Sequence, residues 1–144
     1  NRSLVELNLF DNRIGDRGAL VLADALVTNR CLKELHISDN RIGDKGILAI
    51  ANALVRNKHL ESLDICNNYF GEQGAMAITD MLHSNNTLKW LELGGQTEMV
   101  RKALCCVMRD HNRTIGYLDI YDGPYGCPWL QCTKFFVGCN KLGL

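Results

Sequence analysis

The residues of this 144-residue chain best able to carry chemistry are four histidines and seven cysteines. The histidines occupy unrelated positions, and no two have the spacing that places ligands on one face of a helix. His36 and Asp64 could approach each other across neighbouring strands, which is more typical of a solvated surface pair than of a catalytic dyad. The sequence contains no phosphate-binding P-loop and no nucleophile elbow. We therefore predict that the protein is not an enzyme, with no catalytic residues and no cofactor.

The cysteines favour packed thiols over a metal site. Three of them lie close to the C-terminus: Cys127, Cys132 and Cys139. Zinc sites commonly use closer cysteine pairs and need a fourth ligand, and the nearest histidine is His111. The other four occupy positions that small or apolar residues fill elsewhere: Cys31, Cys66, Cys105 and Cys106. We expect reduced thiols, no bound metal and a cytoplasmic protein.

The composition also limits the class of partner. Sixteen Lys and Arg residues balance sixteen Asp and Glu residues, so the formal net charge is zero. Nucleic acids and anionic membranes select for an excess of positive charge. No apolar run approaches the roughly 20 residues that span a bilayer. The sequence therefore favours a protein partner, with no nucleic acid and no membrane.

The elements that must position these residues follow from an internal repeat of 28 residues. The apolar positions of the first copy, with its asparagine, recur twice in register: Leu4, Leu7, Leu9 and Asn12; Leu32, Leu35, Ile37 and Asn40; Leu60, Leu63, Ile65 and Asn68. A fourth copy has Leu88, Leu91 and Leu93, and a fifth begins at Ile115 after a step of 27. Alternating apolar residues predict strands near residues 5–9, 33–37, 61–65, 89–93 and 116–120.

A helix is predicted to follow each of the first four strands. Apolar residues at helical spacing, such as Ala19, Leu22, Ala23 and Leu26, form its buried stripe. Asp16, Asp44 and Glu72 are predicted to cap the starts of their own helices. Gly15, Gly43 and Gly71 are predicted to adopt a backbone conformation that excludes a β-carbon. Asn29, Asn57 and Asn85 are predicted to close the helices, and the fourth helix is expected from about Glu98 to Asp110.

This pattern resembles the leucine-rich repeat family, specifically its ribonuclease-inhibitor class, which ribonuclease inhibitor and NOD-like receptors represent. The resemblance implies an α/β leucine-rich-repeat solenoid, curved, with a parallel sheet on the concave side and helices on the convex side. We assign residues 1–121 to about four and a half repeats, and residues 122–144 to an irregular C-terminal cap or a separate binding element. The chain begins in phase at Asn1, so we expect further repeats or another domain upstream.

Strand residues between the leucines point away from the core, into the concave surface. Together with the positions just past each strand, these columns hold eight of the sixteen acids and no Lys or Arg. Aromatic residues, which often anchor interfaces, accompany them. We predict a protein-binding face that fits a basic partner surface, formed by these residues: Glu6, Glu34, His36, Asp64, Trp90, Glu92, Tyr117 and Asp119.

Three roles are compatible with such a face. The first is the ligand-binding or scaffolding part of a larger intracellular protein. The second is regulation of a small GTPase, because Ran GTPase-activating proteins have similar repeats. Those proteins carry an acidic tail, whereas this chain has no acid after Asp122. The third is an architectural subunit of a large assembly.

Overall fold

The computed structural model describes residues 2–94 and 96–120. Strands and helices alternate along the chain in nine elements: β1 (Glu6–Asn8), α1 (Gly15–Thr28), β2 (Glu34–His36), α2 (Asp44–Arg56), β3 (Ser62–Asp64), α3 (Glu72–Leu82), β4 (Trp90–Glu92), α4 (Glu98–Asp110) and β5 (Tyr117–Asp119). The C-terminal segment that we predict to be a cap, with Cys127, Cys132 and Cys139, lies outside the described residues. Within the described ranges, no helix combines the length and apolar character that crossing a bilayer requires.

The five strands form one parallel sheet in sequence order, as the repeat predicts. Leu35 pairs with Leu7 on one side and with Leu63 on the other, so the 28-residue step is the register of the sheet. Each strand has three residues instead of the predicted five. The ladder nevertheless extends past the strand ends, for example from the Leu9 N–H to the His36 carbonyl at 2.8 Å. This confirms the predicted α/β solenoid with one parallel sheet.

Strand leucines and helix residues share one buried core. Leu35, Leu63 and Leu91 are fully buried, as are Ile50 and Ile78 on the helices that cover them. The inward strand positions and the helix stripes were therefore assigned correctly from the sequence, except at Leu4 in the first copy, which is 39% exposed. We use the word coil below for one strand with its following loop and helix.

One asparagine ladder joins the coils where the strands end. Asn40 donates through Nδ2 to the Leu9 carbonyl of the preceding coil, at 2.8 Å, and its Oδ1 accepts from the Ile14 N–H. Asn68 repeats the arrangement one coil later, donating to the Ile37 carbonyl at 2.9 Å. These bonds satisfy backbone groups that the turn removes from the sheet. This asparagine position therefore ties one coil to the next.

A second asparagine ladder joins the coils where the helices end. The Asn57 amide donates to the Leu26 and Asn29 carbonyls of the preceding coil, at 2.7 and 3.1 Å. Asn85 and Asn112 make the equivalent bonds one and two coils later. Asn29 and Asn57 directly follow their helices, but α3 ends at Leu82, so Asn85 closes a loop and not the helix itself.

The aspartates of the repeat cap a different helix from the one predicted. The Asp16 carboxylate accepts from the Gly43 and Gly46 N–H groups, at 2.8 and 3.0 Å. These two glycines lie at the start of α2, the helix of the following coil. Asp44 accepts from the first N–H groups of α3 in the same way. The prediction of local capping was wrong because an acid inside the first turn faces the next coil. Glu72 makes no equivalent bond among the described residues.

The glycine prediction holds at only one of its three positions. Gly15 has φ +56°, whereas Gly43 and Gly71 have φ −92° and −107°, which other residues also adopt. The sterically constrained glycine is the one three positions later. A β-carbon at Gly46 would come within 2.8 Å of the Ala19 β-carbon and of the Asp16 carboxylate. Gly46 therefore keeps the close approach of adjacent coils that the Asp16 bond requires.

We predict that Asp44→Ala lowers the free energy of unfolding by about 1–3 kcal/mol, because two N–H groups of the next coil lose a charged acceptor. Glu72→Ala is the control, since it removes an acid at the same position in the following coil. Urea unfolding followed by circular dichroism measures both. Equal losses for the two variants would show that the cross-coil bonds add nothing beyond the charge near a helix start.

We predict that Leu63→Ala costs about 2–5 kcal/mol, because the fully buried side chain lies between two flanking coils. Leu48→Ala is the control, since this helix leucine is 50% exposed. Thermal melting compares them. An unchanged melting temperature for Leu63→Ala would contradict the packing of this position in the array.

Candidate functional site

The candidate site is the side of the sheet that faces away from the helices, which we call the strand face. It consists of two adjacent columns of outward-pointing residues: Glu6, Glu34, Ser62, Trp90 and Tyr117 in one, and Asn8, His36, Asp64, Glu92 and Asp119 in the other. All eight residues predicted to bind a partner lie on this surface. None of them is buried.

An aromatic pair occupies the C-terminal half of the strand face. Trp90 and Tyr117 are register partners, and their rings stack with centroids 3.7 Å apart and planes inclined by 15°. Trp90 is 43% exposed, and its indole Nε1 donates to the Glu92 carboxylate at 2.7 Å. Burial and the negative charges of Asp119 and Glu92 raise the pKa of the Tyr117 hydroxyl, which stays protonated at neutral pH. The pair is a rigid apolar platform bordered by carboxylates.

A row of carboxylates runs beside the platform. Asp64, Glu92 and Asp119 are in register on three adjacent strands. Asp64 is held in place, because Oδ2 accepts from the Ser38 hydroxyl at 2.7 Å and Oδ1 accepts from the Cys66 N–H at 3.0 Å. Ser38 is a support that the sequence did not single out; it lies in the strand-end column of the preceding coil.

A second group of charges lies at the N-terminal end of the strand face. Potential ligand atoms of Glu6, Glu34 and His36 lie within 4.8 Å of one another. The His36 ring is 3.9 Å from the Glu34 carboxylate and 3.9 Å from that of Asp64. These separations exceed hydrogen-bond length. The geometry matches the expected solvated pair, because His36 is not held against Asp64 as the base of a catalytic dyad would be.

The oxygens and the thiol of Asp64, Cys66 and Glu92 also converge within 4.8 Å. Such a set could approach a cation. However, hydrogen bonds from Ser38, the Cys66 backbone and the Trp90 indole already engage the carboxylates. This cluster is part of the hydrogen-bonded strand face, and we assign no metal to it.

Two of the acids counted toward the binding face have a backbone reason for their presence. Asp11 and Asp39 have φ +52° and +57°, and Asn67 occupies the same position in the third coil with φ +52°. Aspartate and asparagine tolerate this left-handed conformation better than most residues do. Their acidity is therefore weak support for binding. Asp122, the last acid of the eight, lies outside the described residues.

Cys66 lies with its thiol within 4.8 Å of the Asp64 and Glu92 carboxylates. Burial, together with the charges of Asp64, Glu92 and Asp119, raises the pKa of its thiol well above the ordinary value. Among the described residues, Cys31, Cys66, Cys105 and Cys106 form no disulfide. This agrees with the packed thiols that the repeat position of Cys66 predicts.

Comparison with known proteins places this geometry among repeat proteins. Residues 1–23, 28–51 and 56–78 match the family model described as Leucine Rich repeat. The actin-binding site 2 structure of leiomodin-1 is similar, with 23% identity and TM-score 0.84, over 99% of this chain and 84% of that chain. The Caenorhabditis elegans tropomodulin C-terminal domain is similar at 10% identity and TM-score 0.80, over 99% and 87%. No curated protein sequence matches the chain.

We predict that Cys66 is alkylated far more slowly than Cys106, because the thiolate is the nucleophile and the raised pKa keeps the Cys66 thiol protonated. Cys106 is the internal control, since its side chain is exposed. Iodoacetamide labelling of the folded protein at pH 8, followed by peptide mass spectrometry, measures both rates. Equal rates would show that the carboxylates do not govern this thiol.

Proposed function

Because the chain belongs to the leucine-rich repeat family, we propose that it is a protein-binding module whose strand face contacts the partner. Helices cover one side of the sheet, and the other side presents polar and aromatic residues that the core does not need. The binding residues are the eight that the sequence predicts: Glu6, Glu34, His36, Asp64, Trp90, Glu92, Tyr117 and Asp119.

The observation that carries this proposal is the exposed Trp90–Tyr117 stack. An indole that is 43% exposed leaves apolar surface in water, and the stacking on Tyr117 fixes its orientation before any partner arrives. Binding energy at protein interfaces concentrates on such aromatic anchors. The fixed orientation also reduces the entropy that is lost when the partner binds.

The charge of the strand face favours a partner with basic groups. Glu34, Asp64, Glu92 and Asp119 lie on neighbouring strands, and no Lys or Arg stands in either column. Like charges in register on adjacent strands repel each other. A partner's Lys or Arg side chains would relieve that repulsion and would steer the encounter at low ionic strength.

Actin is the first partner to test, because the leiomodin-1 structure similar in fold is that of an actin-binding site. An identity of 23% supports the choice of probe and not the partner itself. If actin does not bind, affinity capture from native extract, comparing wild type with Trp90→Ala, identifies proteins that depend on the strand face.

We predict that Trp90→Ala raises the Kd for the partner about 30-fold or more, as the loss of an interface anchor does. Glu34→Gln is expected to slow association at low salt with little change in dissociation. Val21→Ala is the control, since this α1 side chain is 69% exposed on the helix side. Surface plasmon resonance separates the rates.

The strand-face assignment would be wrong if Trp90→Ala and Glu34→Gln bound as wild type does while Val21→Ala weakened the complex. It would also be wrong if all three variants captured the same set of proteins as the wild-type chain. Circular dichroism of each variant shows that the array remains folded.

A further inference from the structure

A second charged surface follows the loops that connect each helix to the next strand. The cross-coil bonds of Asn57, Asn85 and Asn112 hold these loops in register. In the sequence, the residue after the asparagine at this repeat position is basic in four of the five copies, with Asn86 as the exception, and all four cations are exposed: Arg2, Arg30, Lys58 and Arg113. The register therefore stacks cations on neighbouring coils along one edge of the sheet.

Lys33 and Lys89 extend this row at the residues that precede β2 and β4. Both contact the carboxylate of Glu61, which directly precedes β3, the strand between them, and Lys33 does so at 2.8 Å. The two lysines lower the pKa of Glu61 to about 2, so this acid is ionised at neutral pH. It offsets only one of their two charges. We call the following six residues the basic edge: Arg2, Arg30, Lys33, Lys58, Lys89 and Arg113.

A depression of about 400 Å³ opens in the basic edge at the point where Asn86 interrupts the row. Lys58, Asn86 and Lys89 line it, together with His59, Thr87 and Thr114. Glu61 also lines it, and the contacts with Lys33 and Lys89 offset the charge of its carboxylate. Lys58 donates to the Val55 and Ser84 carbonyls, and Lys89 donates to Glu61. An ammonium group has three donors. Each lysine thus retains an N–H that can reach an anionic group in the depression.

We propose that the basic edge binds an acidic segment of a protein partner, with a carboxylate of that segment in the depression beside Lys58, Asn86 and Lys89. This surface is distinct from the strand face and takes a partner of opposite charge. Strands lie about 4.8 Å apart, so five coils span about 20 Å, which is the reach of an extended segment of about six residues.

A protein segment fits this surface better than a nucleic acid or a lipid bilayer does. The net charge of the chain is zero, and the strand face next to this edge is acidic. A large polyanion would meet the carboxylates of that face as well as the cations of the edge. A short acidic segment can follow one row of cations and avoid the strand face.

One column of the basic edge places like charges on neighbouring coils of the free protein. Arg2, Arg30 and Lys58 stand at equivalent positions of three consecutive coils, with no acid in their column. Neutralising one member of such a row relieves repulsion. Arg30→Gln is therefore expected to lose binding without losing stability, which distinguishes a binding role from a structural one, whereas Lys89→Gln also removes an ion pair with Glu61.

The test is fluorescence anisotropy of the chain with a labelled octapeptide of alternating glutamate and serine, at low and at physiological ionic strength. Lys58→Gln and Lys89→Gln are each expected to weaken binding about two- to five-fold at low salt, as the loss of one exposed ion pair does. Arg17→Gln and Lys45→Gln, exposed cations in the first turns of α1 and α2, are the matched controls and are expected to bind as wild type does.

The proposal is overturned if the Lys58→Gln, Lys89→Gln double variant binds the peptide as wild type does, or if the control variants lose as much. It is also overturned if a glutamine–serine peptide binds equally well. Tighter binding of single-stranded DNA or phosphatidylserine vesicles through the same lysines would assign the edge to another class of partner. Self-association that the double variant abolishes would assign it to the strand face of a second copy. Each outcome is independent of Trp90, so failure here leaves the strand-face proposal standing.

Discussion

The structure depends on one constraint: the backbone groups that each loop withdraws from the sheet must find partners in the neighbouring coil. Asn40 and Asn68 meet it where strands end, and Asn57, Asn85 and Asn112 meet it where helices end. Among the described residues, every buried side-chain nitrogen or oxygen has a hydrogen-bond partner. A single coil could not satisfy these groups, and stacking therefore supplies both the apolar core and the polar bonding.

This constraint also organises the surface. Because the asparagine ladders fix the step between coils, each remaining position becomes a column of equivalent residues on one side of the array. Acids occupy the outward strand columns, and cations occupy the loops at one edge. The zero net charge of the chain thus conceals two surfaces of opposite sign. The zero net charge by itself gives no reason to expect a charged partner. The repeat register, by separating acids from cations, favours a partner of opposite charge for each surface.

The sequence predicted what the repeat itself encodes: the parallel strands, the α4 bounds Glu98–Asp110 and the leucine core. It did not predict which neighbour a side chain would reach. Asp16 was assigned to its own helix, although it caps the next one, because periodicity gives a position within a coil and not the direction across coils. The Trp90–Tyr117 stack was missed for a related reason, since it needs the relative orientation of two rings that only register and side-chain geometry provide.

The fourth coil shows how the array can vary without failing. Thr97 and Val100 stand at the positions where Gly71 and Gly74 donate to Asp44 of the preceding coil, and the Thr97 hydroxyl instead accepts from the Val100 N–H and caps α4 locally. This coil, whose helix is not capped by an aspartate of the preceding coil, also departs from the repeat at two surface positions. These are Trp90 on the strand face and Asn86, which interrupts the basic edge. Departures from a repeated pattern concentrate where function makes its own demands. Both surfaces proposed to bind partners therefore meet in the coil whose folding depends least on the repeat consensus.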